Sequence, residues 1–176
     1  LTFVATANAV RYTGATPVFA DIVGADDLNV SVRAIERLIN ARTRAIIVMH
    51  YGGYPCDMPS IMDMALDRGL KVIEDAAHAV GSELGDVHLG TWGDIGVYSF
   101  FSNKNMTTGE GGLVTTNDDD LAARIRKLRS HGEAEKYVHT SIGFNYRMTD
   151  VEAAVGSSQL ERLPGITERR RANAAR

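Results

Sequence analysis

The sequence predicts an α/β domain built on a mostly parallel sheet with helices on both faces. Three observations carry this. Short β-rich runs alternate with helical patterns along the chain. Helices lying between strands imply crossovers, which parallel strands require and hairpins do not. And 176 residues suffice for one sizeable core and little more.

Each element has its own signal. "ATANAVRYTG" reads as a helix closed by Gly14, and "TPVFADI" as the strand after it. "SVRAIERLIN" sets Val32, Ile35, Leu38 and Ile39 on one helical face, with Ser31 as N-cap. The strand "RAIIVMH" follows, then the helix "PSIMDMALDRG" with Gly69 just past its end, then the strand "KVIED". "DIGVYSF" and "GGLVTTN" are two further strands, the second leading into the helix "DDDLAARIRKLRS". A last helix starts at "TDVE", a capping box in which Thr149 and Glu152 satisfy each other's backbone donors. There is no internal repeat, low-complexity tract or Pro/Ser-rich linker.

Composition narrows the function classes. A net charge of −3 gives no general field for polyanions, so no nucleic-acid partner is expected. The single cysteine, Cys56, excludes an internal disulfide framework and fits a reducing compartment. With no apolar run of about eighteen residues and no signal peptide, a soluble, cytoplasmic protein without membrane association is expected. Leu1 is not a start residue, and the chain stops inside the helical "ITERRRANAAR", so a piece of a longer chain is expected.

In an open parallel sheet, ligands gather at the carboxyl ends of the strands. There "KVIED" delivers Asp75, with His78 three residues on, and "VYSF" delivers Ser99, followed by Lys104. An acid, an imidazole, a hydroxyl and an amine fit a pyridoxal phosphate site. The lysine would form a Schiff base and shuttle a proton, and a carboxylate facing the pyridine nitrogen would keep it protonated. Taken singly, each residue also has a plain reading. A lysine after a strand is ordinarily a solvated charge, and a histidine beneath a helix is ordinarily a satisfied structural one. Ser99 reads equally as a phosphate ligand or a strand-end cap, and Phe3 as core. His50, His88, His131 and His139 read as structural. The acids and imidazoles of "EDAAHAVGSELGDVH" fit no common metal-site spacing, so no metal is expected. "GEGG" is neither a dinucleotide fingerprint nor a P-loop, and its glycines fit a tight turn. "ERRR", residues 168–171, reads as a solvated helix face.

The run "VIEDAAHAVGSELGDVHLGTWGDIGVYSFFSNKNMTTGEGGLVTTND" resembles the core of the DegT/DnrJ/EryC1/StrS family of nucleotide-sugar aminotransferases. The likeness extends through "LRSHG" and "GFNYRMTDVEAAVGSSQLERL", and backwards through "TFVATANAVRYTGATPVFADI" and "AIIVMHYGGYPCDM". It implies the large domain of a fold type I pyridoxal-phosphate-dependent transferase over residues 1–163. Residues 164–176 would then begin the helix toward a small C-terminal domain. Position by position, the resemblance makes Lys104 the Schiff-base lysine and Asp75 the partner of the pyridine nitrogen. His78 would pack on one ring face and Phe3 cover the other, with Ser99 holding the phosphate. Asn145, in "GFNYRM", would reach the phosphate of a neighbouring subunit's cofactor, which implies a homodimer with shared sites. The family's Gly-Thr-small phosphate cradle lies upstream of "TFVAT", before this sequence begins.

The implied activity is transfer of an amino group from an amino acid, glutamate by the resemblance, to a nucleotide-linked keto-sugar in polysaccharide or O-antigen biosynthesis. "SFFSNKNMTTGEGG" is most similar to the branch that makes 4-amino-4,6-dideoxy sugars, such as perosamine synthases. Lys104 argues against the family's dehydratase branch, in which histidine replaces the lysine. Two other readings stay open. A non-catalytic, regulatory member of the same fold is opposed by the intact set Asp75, His78, Ser99 and Lys104. A nicotinamide oxidoreductase is opposed by the lack of a glycine fingerprint after a strand.

Overall fold

The computed structural model describes residues 2–176. The chain divides into two compact units, Leu1–Tyr98 and Ser99–Arg176.

The first unit opens with helix α1 (Val4–Tyr12), which buries none of its residues. The β-rich run after it forms no strand; its one ladder contact is an isolated bridge between Ile22 and Val30. Val18 and Phe19 are largely exposed there. A strand is stabilised by its neighbours rather than by its own residues, and this run has none beside it among the described residues. Helix α2 (Val32–Leu38) starts where expected, with Ser31 Oγ accepting from the Ala34 amide at 3.4 Å. Of its expected apolar face, Ile35 is buried, whereas Leu38 is exposed.

Strands β1 (Ala45–Met49) and β2 (Lys71–Asp75) run parallel, with Ala45 opposite Lys71 and Met49 opposite Asp75. Helix α3 (Met58–Asp67) crosses between them, capped by Asp57, whose carboxylate accepts from the Ser60 amide at 3.3 Å. Its buried residues Met58, Ile61, Met64 and Ala65 fall on one stripe. That stripe meets Ile46, Val48 and Val72 from the strands and Ile35 from α2, and together they form the main core. After a short antiparallel hairpin, β3 (Glu83–Leu84) with β4 (Val87–His88), strand β5 (Ile95–Ser99) adds parallel to β2, Asp75 facing Val97. The hairpin is too short to show in the sequence pattern. Beneath it Ala76, Ala79 and Leu89 form a second, smaller core.

The second unit contains β6 (Gly112–Thr115), helix α4 (Asp119–Leu128), a hairpin of β7 (Glu133–Glu135) with β8 (Val138–His139), and helix α5 (Asp150–Ala174). Asp118 caps α4 by accepting from the Leu121 amide at 3.0 Å. Asp119 and Asp120 in its first turn and Arg126 and Lys127 in its last complement the helix dipole. The capping box expected at α5 is present. Glu152 accepts from the Thr149 amide at 2.8 Å, and Thr149 Oγ1 accepts from the Glu152 amide at 3.2 Å. Gly156 of α5 packs on the loop before β6, where an added Cβ would stand 3.2 Å from Thr108 Cγ2. Among the described residues, no helix is long and apolar enough to cross a membrane.

Candidate active site

Successive side chains of a strand point to opposite faces, so "KVIED" must send its two terminal acids in opposite directions. Glu74 shares the face of Val72 and is fully buried in the core, while Asp75 shares that of Ile73 and is half-buried. Adjacent carboxyl groups thus acquire unrelated surroundings.

Asp75 ends β2 and is held at both oxygens. Oδ2 accepts from the Thr6 hydroxyl of α1 at 2.7 Å, and Oδ1 from the Ala77 amide at 3.2 Å. Its own carbonyl accepts from the His50 amide at 3.2 Å. His78 follows in the turn after β2, half-buried, with Nδ1 accepting from the Gly52 amide at 3.3 Å. Tyr51 meets the His78 ring edge-on, the centroids 6.2 Å apart and the planes at 72°. Residues Tyr51–Gly53 form a single 3-10 turn here. Gly53, at φ 84°, lets that turn approach: a Cβ there would lie 2.8 Å from the His78 carbonyl oxygen. Phe3 is the N-cap of α1, is 68% exposed, and its carbonyl accepts from the Thr6 amide at 3.1 Å.

Glu74 anchors the scaffold under these groups. Oε2 accepts from His50 Nε2 at 3.0 Å and from the Gly90 amide at 2.7 Å; Oε1 accepts from the amides of Trp92 and Gly93, both at 2.7 Å. His50 Nδ1 accepts from the Cys56 amide at 3.2 Å. A nitrogen that accepts an N–H carries no hydrogen, so the proton of the neutral ring sits on Nε2 and is donated to Glu74. Burial pushes the Glu74 carboxyl up, but the His50 hydrogen bond and the Gly93 and Gly90 amides outweigh it and hold it below the usual carboxylate range. Cys56 is the converse: burial pushes its thiol up to about 11, against a lowering backbone contact at Val30, which leaves it an unreactive core residue. The structural reading of His50 holds. Glu74 and Thr6, in contrast, did not stand out in the sequence. Strand alternation was the available signal for Glu74, since an acid two residues after an inward valine must find partners inside.

In the second unit, Ser99 ends β5, half-buried, and its Oγ accepts from the Phe101 amide at 3.3 Å. The Phe101 carbonyl accepts in turn from the Lys104 amide at 3.1 Å, so a tight turn joins the hydroxyl to the amine. Lys104 is half-buried, and its Nζ has no hydrogen bond or ion pair among the described residues. Lys71 instead bonds Asp94 at 2.6 Å and Lys136 lies 5.3 Å from the Tyr137 ring centre, whereas Lys127, half-buried in the last turn of α4, resembles Lys104 in lacking a side-chain partner among the described residues. Asn145 is exposed, bridges Ser130, and its Oδ1 accepts from Arg147 Nε at 3.3 Å.

In a parallel α/β sheet of this kind ligands gather at the carboxyl ends of the strands, and Asp75 is held at such an end. The model of the DegT/DnrJ/EryC1/StrS aminotransferase family matches residues 1–176, and the chain belongs to that family. It is 46% identical over 173 residues to the GDP-perosamine synthase of Escherichia coli O157:H7, covering 97% of this chain and 47% of that protein. A GDP-perosamine synthase of Caulobacter vibrioides is 48% identical over 165 residues, 93% of this chain and 44% of that protein. Among solved structures, DesV of S. venezuelae in complex with a ketimine intermediate matches with a TM-score of 0.94 and 38% identity, covering 99% of this chain and 47% of that one. An aminotransferase from Psychrobacter cryohalolentis also gives 0.94, at 39% identity, over 99% of this chain and 47% of its own. The chain therefore spans about half the length of the relatives it matches. The fold class expected from the sequence is the one these aminotransferases have.

Proposed function

We propose that this chain carries the lysine-bearing half of a pyridoxal-phosphate-dependent aminotransferase that moves an amino group from an amino acid, glutamate by family resemblance, to a nucleotide-linked keto-sugar. The product is an amino-deoxy sugar. Two relatives named GDP-perosamine synthase and one named for a UDP-linked 3-aminotransferase support a sugar nucleotide as substrate.

The donor set fits the cofactor. A carboxylate fixed at both oxygens suits a pyridine nitrogen, the flat His78 ring suits the pyridine face, and the Ser99 hydroxyl suits the phosphate. When bound, pyridoxal phosphate supplies an electron sink for the carbon that loses its proton. The protein's own work is to bind, orient and move protons. Asp75 would hold a proton at the ring nitrogen, His78 would support the ring face, and Lys104 Nζ would be the amine that holds the cofactor and moves a proton. Asn145 reaches the phosphate held by a second copy of the chain, so the active unit is a homodimer in the cytoplasm. Phe3, exposed at the start of α1, would cover the ring face opposite His78.

The observation that carries the reading is Lys104. It is a half-buried amine with no neutralising side chain among the described residues, and, unlike Lys127 on helix α4, it follows a strand end, where such an amine suits covalent chemistry. The purified protein should be yellow, and borohydride should fix the cofactor irreversibly on the peptide containing Lys104. Recovery of the label on any other residue would overturn the assignment.

A further inference from the structure

A threonine in a helix can turn its hydroxyl to a carbonyl three or four residues back or out to solvent. Thr6 does neither. Its Oγ1 donates instead to Asp75 Oδ2 at 2.7 Å, across 69 residues of sequence. The setting makes this bond conspicuous. None of the residues of α1 is fully buried, and only Ala7 and Val10 among its apolar residues are half-buried, so apolar packing holds the helix weakly. Among the described residues, the Thr6 hydroxyl makes the side-chain hydrogen bond that ties α1 to the sheet.

The bond also completes a two-point hold. The terminal torsion of an aspartate is broad and roughly two-fold, so one donor leaves the carboxylate plane free to swing. The Ala77 amide supplies one point, at Oδ1. It belongs to the turn directly after β2 and moves with Asp75. Thr6 supplies the other, at Oδ2, from a separate element. A carboxylate held by both oxygens presents its remaining lone pairs in one fixed direction, the requirement for a straight hydrogen bond to a ring nitrogen.

We propose that Thr6 is a positioning residue for the reaction: its hydroxyl fixes the plane of the Asp75 carboxylate toward the cofactor nitrogen. The proposal rests on the reading of Asp75 as the partner of that nitrogen. It assigns the hydroxyl, not the methyl, as the working group, and it makes Thr6 act through Asp75 alone.

The test is a set of variants in the full protein: Thr6→Val, which keeps the shape and removes the hydroxyl, Thr6→Ser, which keeps the hydroxyl, Asp75→Asn, and Thr6→Val combined with Asp75→Asn. Three quantities are read: the dissociation constant of pyridoxal phosphate by absorbance titration, kcat and KM for the amino donor, and the unfolding midpoint without cofactor. Thr6→Val should weaken cofactor binding and lower kcat by about tenfold, the size of one hydrogen bond to a charged group, with the KM of the donor within about twofold. Thr6→Ser should stay within about threefold of wild type on both. In the combined variant, Thr6→Val should add less than about twofold to the loss from Asp75→Asn, because residues acting as a unit are not additive. A helix-docking role alone would lower the unfolding midpoint and leave kcat at saturating cofactor unchanged, and that result overturns the proposal. So does equal loss in Thr6→Val and Thr6→Ser, or full additivity in the combined variant. If Asp75→Asn itself is silent, the reading of Asp75 fails. If Asp75→Asn is severe and Thr6→Val silent, only the role of Thr6 fails.

Discussion

Replacing Glu74 by glutamine keeps the volume of the side chain and changes which atoms can accept. The carboxylate takes four donors: His50 Nε2–H and the amides of Gly90, Trp92 and Gly93. A glutamine has one oxygen, which can serve two of them, and its NH2 must then face the other two. Flipping the amide only exchanges which pair is opposed. A change of tautomer at His50 does not help, since Nδ1–H would meet the Cys56 amide. Each buried donor left unmade costs about 1–3 kcal/mol, and the glutamine opposes two of them, so a loss near 4 kcal/mol is expected. Glu36→Gln is the control: Glu36 pairs with Arg68 at 2.8 Å but is 57% exposed, and such pairs contribute less than about 1 kcal/mol. Urea unfolding of the purified proteins at neutral pH reads both. The acid limb gives an independent check. Because the folded Glu74 carboxyl lies below its ordinary value, its contribution is complete above that value, about pH 4.3, and is lost as pH falls through the folded one. The glutamine variant should therefore lose stability less steeply than wild type below about pH 4. A Glu74→Gln protein as stable as the Glu36→Gln control would refute the account of the buried anchor.

Asp75→Asn should lower turnover by more than tenfold, about 1.4 kcal/mol of barrier, while cofactor still binds; steady-state kinetics at saturating cofactor decides, and a smaller loss removes Asp75 from its role. A Lys104→Ala chain mixed with an Asn145→Ala chain should regain activity on subunit exchange at limiting cofactor, because one site of the mixed dimer carries both lesions and the other neither. Exchange without recovery would place Asn145 outside the neighbouring site. Gly90→Ala should cost about 2 kcal/mol or more in urea unfolding, since the residue sits at φ 96°, donates to Glu74 and leaves no room for a Cβ beside the Tyr98 ring.

The fold was legible wherever a local pattern and its tertiary use agreed. The strands at Ala45–Met49 and Lys71–Asp75, the helix between them and the capping box at Thr149 all follow from apolar period and end signals that the core and the hydrogen bonds then use. "TPVFADI" failed for the opposite reason: its β-rich composition has no neighbouring strand to answer it. The hairpins of β3–β4 and β7–β8 stayed hidden because two or three residues are too few to show a period. The site divides similarly. Asp75, His78, Ser99 and Lys104 are chemically expressive and stand at strand ends or just beyond, where chemistry is expected. Thr6 and Glu74 matter through contacts made 69, 24 and 16–19 positions away, and nothing in a local window reports such distances.

The pleat of β2 makes position, not composition, the carrier of meaning in "ED". Exchanging the two acids to give "DE" would leave charge, composition and hydropathy untouched. Yet the shorter aspartate at 74 would fall short of the loop amides by about one methylene, and the longer glutamate at 75 would overshoot the Thr6 hydroxyl. A slip of β2 by one residue against its neighbours would do worse, turning the anchoring carboxylate outward and dragging Asp75 into the core. The strand therefore guards its own alignment: a form slipped by one residue strands an anion among Ile46, Val48 and Val72 without its ring of donors, and so is disfavoured during folding itself.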